Sequence, residues 1–539
     1  MKKLIVLSLI ITMLFSTVSC GQKNNITNSD GNSVTDHSAT LKVWCIQSPA
    51  VTDYATNAQS IWTEEQTGIS VEYIDVPQNG WADSFRNYIM SGETADIYLY
   101  DFDTTEVTNL AQMGGIIPLE DLIDKHAPNI KAMFQNNSEL ADALTAPDGH
   151  IYTLFGRSYN QTEFTQKVFV NREWLQSYQD STGKGMPETI DDLHEMLLFF
   201  KKNDMNRNGD KNDEIPMMGM NGVDAVYYFL GSFITSNSSE PFGCYKDDNG
   251  KLSFAYNKKA FKNALSFVKQ LYDEGLYSDE SFTIDANNRY KYTSGTSSDA
   301  KIGVVSGPTI SSVVQLSSKE GSLDYDSYVA LPPVAGPEGV RTIVSRGAET
   351  ISMRCAISSS CKDPETAIKW LDFCYSEEAR LFSVYGGVEG IDWHYEEGET
   401  ISGKGKIVVQ DSKDTENFAW QGDHCVTYQI TEDDITKMDA KSIGQNSVLA
   451  TYYANRAYRK YAVERQWPAI VWAGDNQDIA DEYSNLSSAL IQSVTDYYTA
   501  VVLGKKDLND DWKSYVSQLK KIGVDRYFEL CEIYISAGE

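Results

Sequence analysis

Residues 70–101 read SVEYIDVPQNGWADSFRNYIMSGETADIYLYD. Ser70-Val71-Glu72-Tyr73-Ile74 is a β-like run, Trp81 to Met90 has helical spacing, and Ile97-Tyr98-Leu99-Tyr100 is a strand ending at Asp101. Upstream, Leu41-Lys42-Val43-Trp44-Cys45 adds another β-like run, followed by a helical stretch through Ile61. Strands alternating with helices predict an α/β lobe with a largely parallel sheet, in which ligands sit beyond the carboxyl ends of the strands.

The pattern continues along the chain. Thr189 can cap a helix with Asp192 three residues on, and Ile190, Leu193, Met196, Leu197 and Phe200 form its apolar stripe. Lys301 to Val305 reads as a strand closed by Ser306-Gly307-Pro308. Asp363-Pro364 opens a helix with Ile368, Leu371 and Tyr375 on one face. Two strongly helical segments close the chain, Asp478 to Leu503, stopped by Gly504, and Asp511 onward.

The first twenty residues read as an export signal: Lys2 and Lys3, an apolar run from Leu4 to Phe15, then Thr17-Val18-Ser19-Cys20. That run falls short of the about 20 apolar residues needed to span a bilayer. The small residues before Cys20 are like those of a bacterial lipobox, with Thr17 where leucine is usual, so Cys20 is expected to be lipidated. Residues 21–40 are polar and read as a disordered linker. The remaining length exceeds one core and predicts two or more lobes.

A net charge of -30 spread along the chain excludes nucleic acid as a partner and suits an extracellular protein. Of eight cysteines, seven lie beyond Cys20; seven is odd and no C-x-x-C occurs, so buried free thiols are expected.

Residues 204–216, DMNRNGDKNDEIP, place Asp204, Asn206 and Asn208 at alternate positions, Gly209 at the sharp turn, Asp210 to offer its carbonyl, and Asn212, Asp213 and Glu214 competing for the closing positions. This is the spacing of an EF-hand-like loop for a structural calcium ion; the plainer reading is a solvated Asn/Asp turn. No G-x-S-x-G, H-E-x-x-H or G-x-G-x-x-G occurs, and Gly398 to Lys404 fits a phosphate loop only until Gly405 replaces the required Ser or Thr. His394 and His424 stand isolated. Aromatics make up 12% of residues. Where they meet polar groups at strand ends the rings are candidates to stack on sugars while amides, carboxylates and Arg bond the hydroxyls: Gln47, Asp101 and Asp103, Arg157 and Tyr159, and Trp393 and Tyr395. For each, core packing is the competing reading.

Several segments together resemble the extracellular solute-binding proteins of the maltose-binding class, especially their large Gram-positive lipoproteins. They are Phe169 to Leu175 with Met186 to Ile190, the Asp204 to Pro216 loop, Asp363 to Ala367 leading to Tyr375 to Glu378 and Gly387 to Gly390, and Gly523 to Tyr527. The loop is similar to a calcium loop of alginate-binding relatives. The resemblance implies a two-lobed periplasmic-binding-protein-like α/β fold with an interlobe cleft and a helical C-terminal segment. Lobe one would hold 41–160 with about 346–392, and lobe two 161–345 with about 393–539. It implies a monomer, not an enzyme, that binds an oligosaccharide outside the cell. Its other partners would be the membrane subunits of an ABC importer, with the membrane met only through the lipid. A lipid-tethered glycan-degrading enzyme, needing two carboxylates about 5–9 Å apart across a cleft, and a sugar sensor or adhesin on the same lobes are the alternatives.

Overall fold

The strand-helix-strand pattern of the first hundred residues becomes one side of a five-stranded sheet. A computed structural model describes residues 40–536 except 49–50, 221–223, 235–241, 248, 412–416, 421–425, 427–428, 465–471 and 473–476. The export signal with Cys20, the linker up to residue 39, His424 and Cys425 lie outside the described residues.

The first sheet has the order β2 (Ser70–Val76), β1 (Thr40–Ile46), β3 (Ile97–Phe102), β12 (Glu349–Ile357), β4 (Leu154–Tyr159). β1 runs parallel to β2 and β3, whereas β12 is antiparallel to both β3 and β4. β4 therefore points the same way as β3. Apart from half-buried Asp101, β3 is buried on both faces, as a central strand covered by helices must be. The second sheet has the order β10 (Tyr328–Leu331), β5 (Val168–Asn171), β9 (Ile302–Ser306), β6 (Ile215–Met218), with β6 and β9 parallel. Two further short pairings join β7 (Cys244–Lys246) to β8 (Leu252–Phe254) and β11 (Ile343–Val344) to β15 (Ala462–Val463).

Each sheet has its own apolar core. Val43, Trp44, Ile97, Leu154, Ile357 and Trp370 belong to the first, and Trp174, Leu197, Phe229, Leu271, Tyr498 and Leu519 to the second. Trp420, Val426 and Trp472 fall in the stretch the sequence reading assigned to lobe two, yet they pack in the first core. The indole of Trp472 donates to the Ala143 carbonyl at 3.0 Å. The chain thus returns to the first core late, a long-range placement that periodicity does not record.

Local signals translate directly. Thr189 and Asp192 form a reciprocal capping box on the helix Ile190–Lys202, and all five stripe residues are buried. Asp363 caps Pro364–Cys374 by accepting from the Thr366 amide, and Gly504, at φ 71°, follows the helix Gln477–Val502. The first helix runs Ala58–Thr67, past Ile61. A hairpin not foreseen from sequence, β13 (Trp393–Thr400) with β14 (Gly403–Gln410), contains the rejected phosphate-loop match.

Candidate functional site

The strand directions bring the two sheets' carboxyl ends together. β4 ends at Tyr159 in the first sheet and β5 begins at Val168 in the second, so residues 160–167 cross between them. Val168 pairs with Ser306, the last residue of β9, and the Gly307 amide donates to the Lys167 carbonyl at 2.9 Å. The ends of β3, β4, β6 and β9 thus all open toward the crossing segments.

Gln47, Asp101, Asp103, Arg157 and Tyr159 share that end of the first sheet, but most are already engaged. Gln47 turns its amide back toward the Val51 and Thr52 carbonyls. Asp101, inside β3 rather than after it, pairs with Arg354 at 3.2 Å. Arg354 lies flat across Gly156, where an added Cβ would come 2.5 Å from its Cγ, so β4 needs glycine there. Asp103 caps the helix Thr104–Gln112 in a capping box with Glu106. Arg157 donates from Nε to Glu349 at 2.7 Å, both side chains remaining 35% exposed.

Tyr159, read from sequence as a stacking candidate, is 3% exposed and rests against Tyr452, its hydroxyl receiving the Asn455 amide at 2.7 Å. Trp393 is 1% exposed, with its indole donating to the Gly387 carbonyl at 2.9 Å and its ring between Tyr385 and Tyr395. Both rings pack inside the protein in this conformation and present no face to solvent. Tyr395 remains half-buried on the hairpin, with the Lys437 ammonium 5.9 Å from its ring centre.

Sequence reasoning passed over Trp81, Glu349, Arg354 and the crossing-segment polar cluster. Trp81 is half-buried at the start of the helix after β2, edge-on to Tyr100 at 4.9 Å. An aromatic directly after the turn that ends β2 was the available signal. Lys167 is fully buried and donates to the Phe164 carbonyl (2.8 Å), the Gln161 carbonyl (3.1 Å) and Asn455 Oδ1 (2.8 Å). Burial pulls its ammonium down to about 7, opposed by the nearby Glu163 carboxylate. Asn455 also donates to the Asn160 carbonyl, and Arg459 joins Glu163 to Glu432. No local pattern marks these residues, because Asn455 and Arg459 meet Lys167, Asn160 and Glu163 across 288 to 296 residues of sequence.

The 204–214 loop folds as its spacing suggests. Gly209 takes φ 93°, which favours glycine, and its amide donates to Asp204 Oδ2 at 3.0 Å. Asn206 and Asn208 oxygens accept amides two residues on, while Asn212 spends both its N–H groups on Asp210 Oδ1. Asp204 Oδ1, Asp213 Oδ1 and Glu214 Oε2 are shielded from solvent and accept no hydrogen bond. Buried carboxylate oxygens without donors are costly unless a cation faces them. Lys301 approaches Asp213 Oδ2 at 3.0 Å, leaving the other oxygens unanswered. No cluster of three His, Cys, Asp or Glu side chains tight enough to hold an ion forms among the described residues. The donor set of carboxylates, Asn amides and a carbonyl fits a hard cation such as calcium, completed by the loop's own oxygens, and not a transition metal.

A sequence model of the family described as bacterial extracellular solute-binding protein matches residues 46–381, more than half of the chain. The fructooligosaccharide ABC transporter substrate-binding protein FusA of Streptococcus pneumoniae serotype 4 (strain ATCC BAA-334 / TIGR4) is 29% identical over 385 residues, 68% of each chain. A structure of the S. pneumoniae FusA EF-hand mutant with fructo-nystose superposes with a TM-score of 0.67 at 21% identity, covering 92% of this chain and 99% of that one. An HMO-binding ABC-transporter-associated solute-binding protein from Bifidobacterium longum infantis gives 0.72 at 21% identity, covering 93% and 99%. The fold is therefore the two-lobed solute-binding architecture, and the chain belongs to the bacterial extracellular solute-binding proteins.

Proposed function

We propose that the chain captures an oligosaccharide between its lobes at the outer face of the cell membrane and delivers it to the membrane subunits of an ABC importer. The observation that carries this reading is the convergence of both sheets' carboxyl ends on the crossing segments, where α/β lobes place ligands. Closure by a hinge motion about those segments would enclose the sugar. Half-buried Trp81 supplies a ring for stacking, and the half-buried Arg157–Glu349 pair supplies hydroxyl partners. The fructooligosaccharide specificity in the name of the S. pneumoniae relative supports a carbohydrate ligand.

The leader supports anchoring by lipid on Cys20, with residues 21–40 as the leash. The unanswered oxygens of Asp204, Asp213 and Glu214 support a structural calcium ion held with Asn206, Asn208 and the Asp210 carbonyl. The EF-hand named in the FusA structure is consistent with it.

Thermal unfolding across neutral and uronate oligosaccharides tests the reading, because a ligand bound only by the folded state raises the midpoint. One sugar class is expected to do so without new reducing ends. Release of reducing ends would replace transport by hydrolysis, and no shift with any sugar would remove carbohydrate as the ligand.

A further inference from the structure

None of the six described cysteines is disulfide-bonded and all are buried, but they are not evenly placed. Cys45, Cys355, Cys361 and Cys374 belong to the first core. The second holds Cys244 and Cys531, whose sulfurs lie 3.8 Å apart although the residues are 287 positions apart in sequence. Cys244 opens β7 of the small β7–β8 hairpin, and Cys531 sits in the chain's last helix, Val524–Ser536. Each side chain is fully buried.

Joining the sulfurs at the bond length of about 2.05 Å requires an approach of about 1.8 Å, within reach of a side-chain rotation with slight backbone adjustment. A two-stranded hairpin is marginal by itself; Cys244 and Phe254 of the hairpin pack in the same core as Val524, Tyr527 and Cys531 of the helix, so a covalent link here would tie the one to the other. Membership of an extracellular family supplies the oxidising surroundings in which such links persist.

We infer that Cys244 and Cys531 form a disulfide when the chain is exposed to a disulfide donor outside the cell. The two thiols give up two protons and two electrons; one S–S bond forms between them, while the donor's S–S bond breaks and leaves as two thiols. Cys531 and burial both push the Cys244 thiol well up, so the folded pair exchanges slowly. The bond is therefore made as the last helix docks, or when it transiently opens. The inference concerns the second core alone and does not depend on which solute the cleft takes.

The test refolds the chain from Gly21 onward out of urea with oxidised and reduced glutathione, then blocks thiols with N-ethylmaleimide in denaturant. Five of the seven thiols are expected to react before reduction and all seven after it, with a proteolytic fragment joining the Cys244 and Cys531 peptides. Closing so long a loop should raise the melting midpoint by about 5 °C relative to the reduced protein. C531S should show six reactive thiols in either state. Seven reactive thiols after oxidative refolding, or a link that includes any other cysteine, overturns the inference and leaves the two sulfurs as packed thiols.

Discussion

The ammonium of Lys167 lies 2.8 Å from Asn455 Oδ1, across 288 residues of sequence, at the point where the chain passes from one sheet to the other. Two carbonyls complete its shell, so a buried amino group pins two crossing segments to each other. Its folded value of about 7 stands against 10.5 for a free lysine. Between those values the unfolded chain holds a proton that the folded chain does not. Stability from this group is complete above about pH 10.5 and is lost as the pH falls toward 7. The urea midpoint of the wild type is therefore expected to rise more steeply over that window than that of Lys167→Met. The variant should also be about 2 kcal/mol less stable at high pH, where it lacks the two hydrogen bonds that the neutral amine still donates among the three acceptors. Parallel pH curves for the two proteins would rule this out.

Chelation should act through the 204–214 loop. With calcium at about a hundredfold excess over its dissociation constant, the bound ion stabilises the folded state by about 2–3 kcal/mol. EGTA is expected to lower the wild-type melting midpoint and to leave Asp204→Asn and Glu214→Gln nearly unmoved. A wild-type midpoint indifferent to both calcium and EGTA would return the loop to a solvated turn.

Calorimetry on the cleft-edge variants separates binding from folding. Trp81→Ala removes a ring worth about 1 kcal/mol in stacking, or a roughly fivefold weaker sugar. Arg157→Ala frees Glu349, but at their exposure the pair contributes under about 1 kcal/mol to stability. Lower affinity with an unchanged melting midpoint is the expected pattern for Arg157. A drop in midpoint without a change in affinity would make the pair a structural tie.

Trp393 should behave in the opposite way. Truncating an indole this deeply buried to alanine is expected to cost about 3 kcal/mol or more. Tyr395→Ala, on a half-buried ring of the same hairpin, should cost much less. Chemical denaturation of the two variants gives the comparison, and equal losses would show that the hairpin packs differently from the arrangement described.

The amino-acid sequence by itself determined what is decided within a few residues. The Thr189–Asp192 box, the Asp363 cap and the turn at Gly209 are hydrogen-bonded over two to five positions, so residue type and spacing suffice to specify them. The strand-helix alternation likewise announced an α/β lobe. Only the tertiary structure decided which of the candidate aromatics are core, because Tyr159 and Trp393 are buried by partners in other elements. It alone joined Arg157 to Glu349, Lys167 to Asn455 and Cys244 to Cys531, pairs 192, 288 and 287 residues apart. Such contacts depend on strand order and on where the chain crosses between lobes. A periodic pattern records which face of an element is apolar, and carries no record of which distant element covers it.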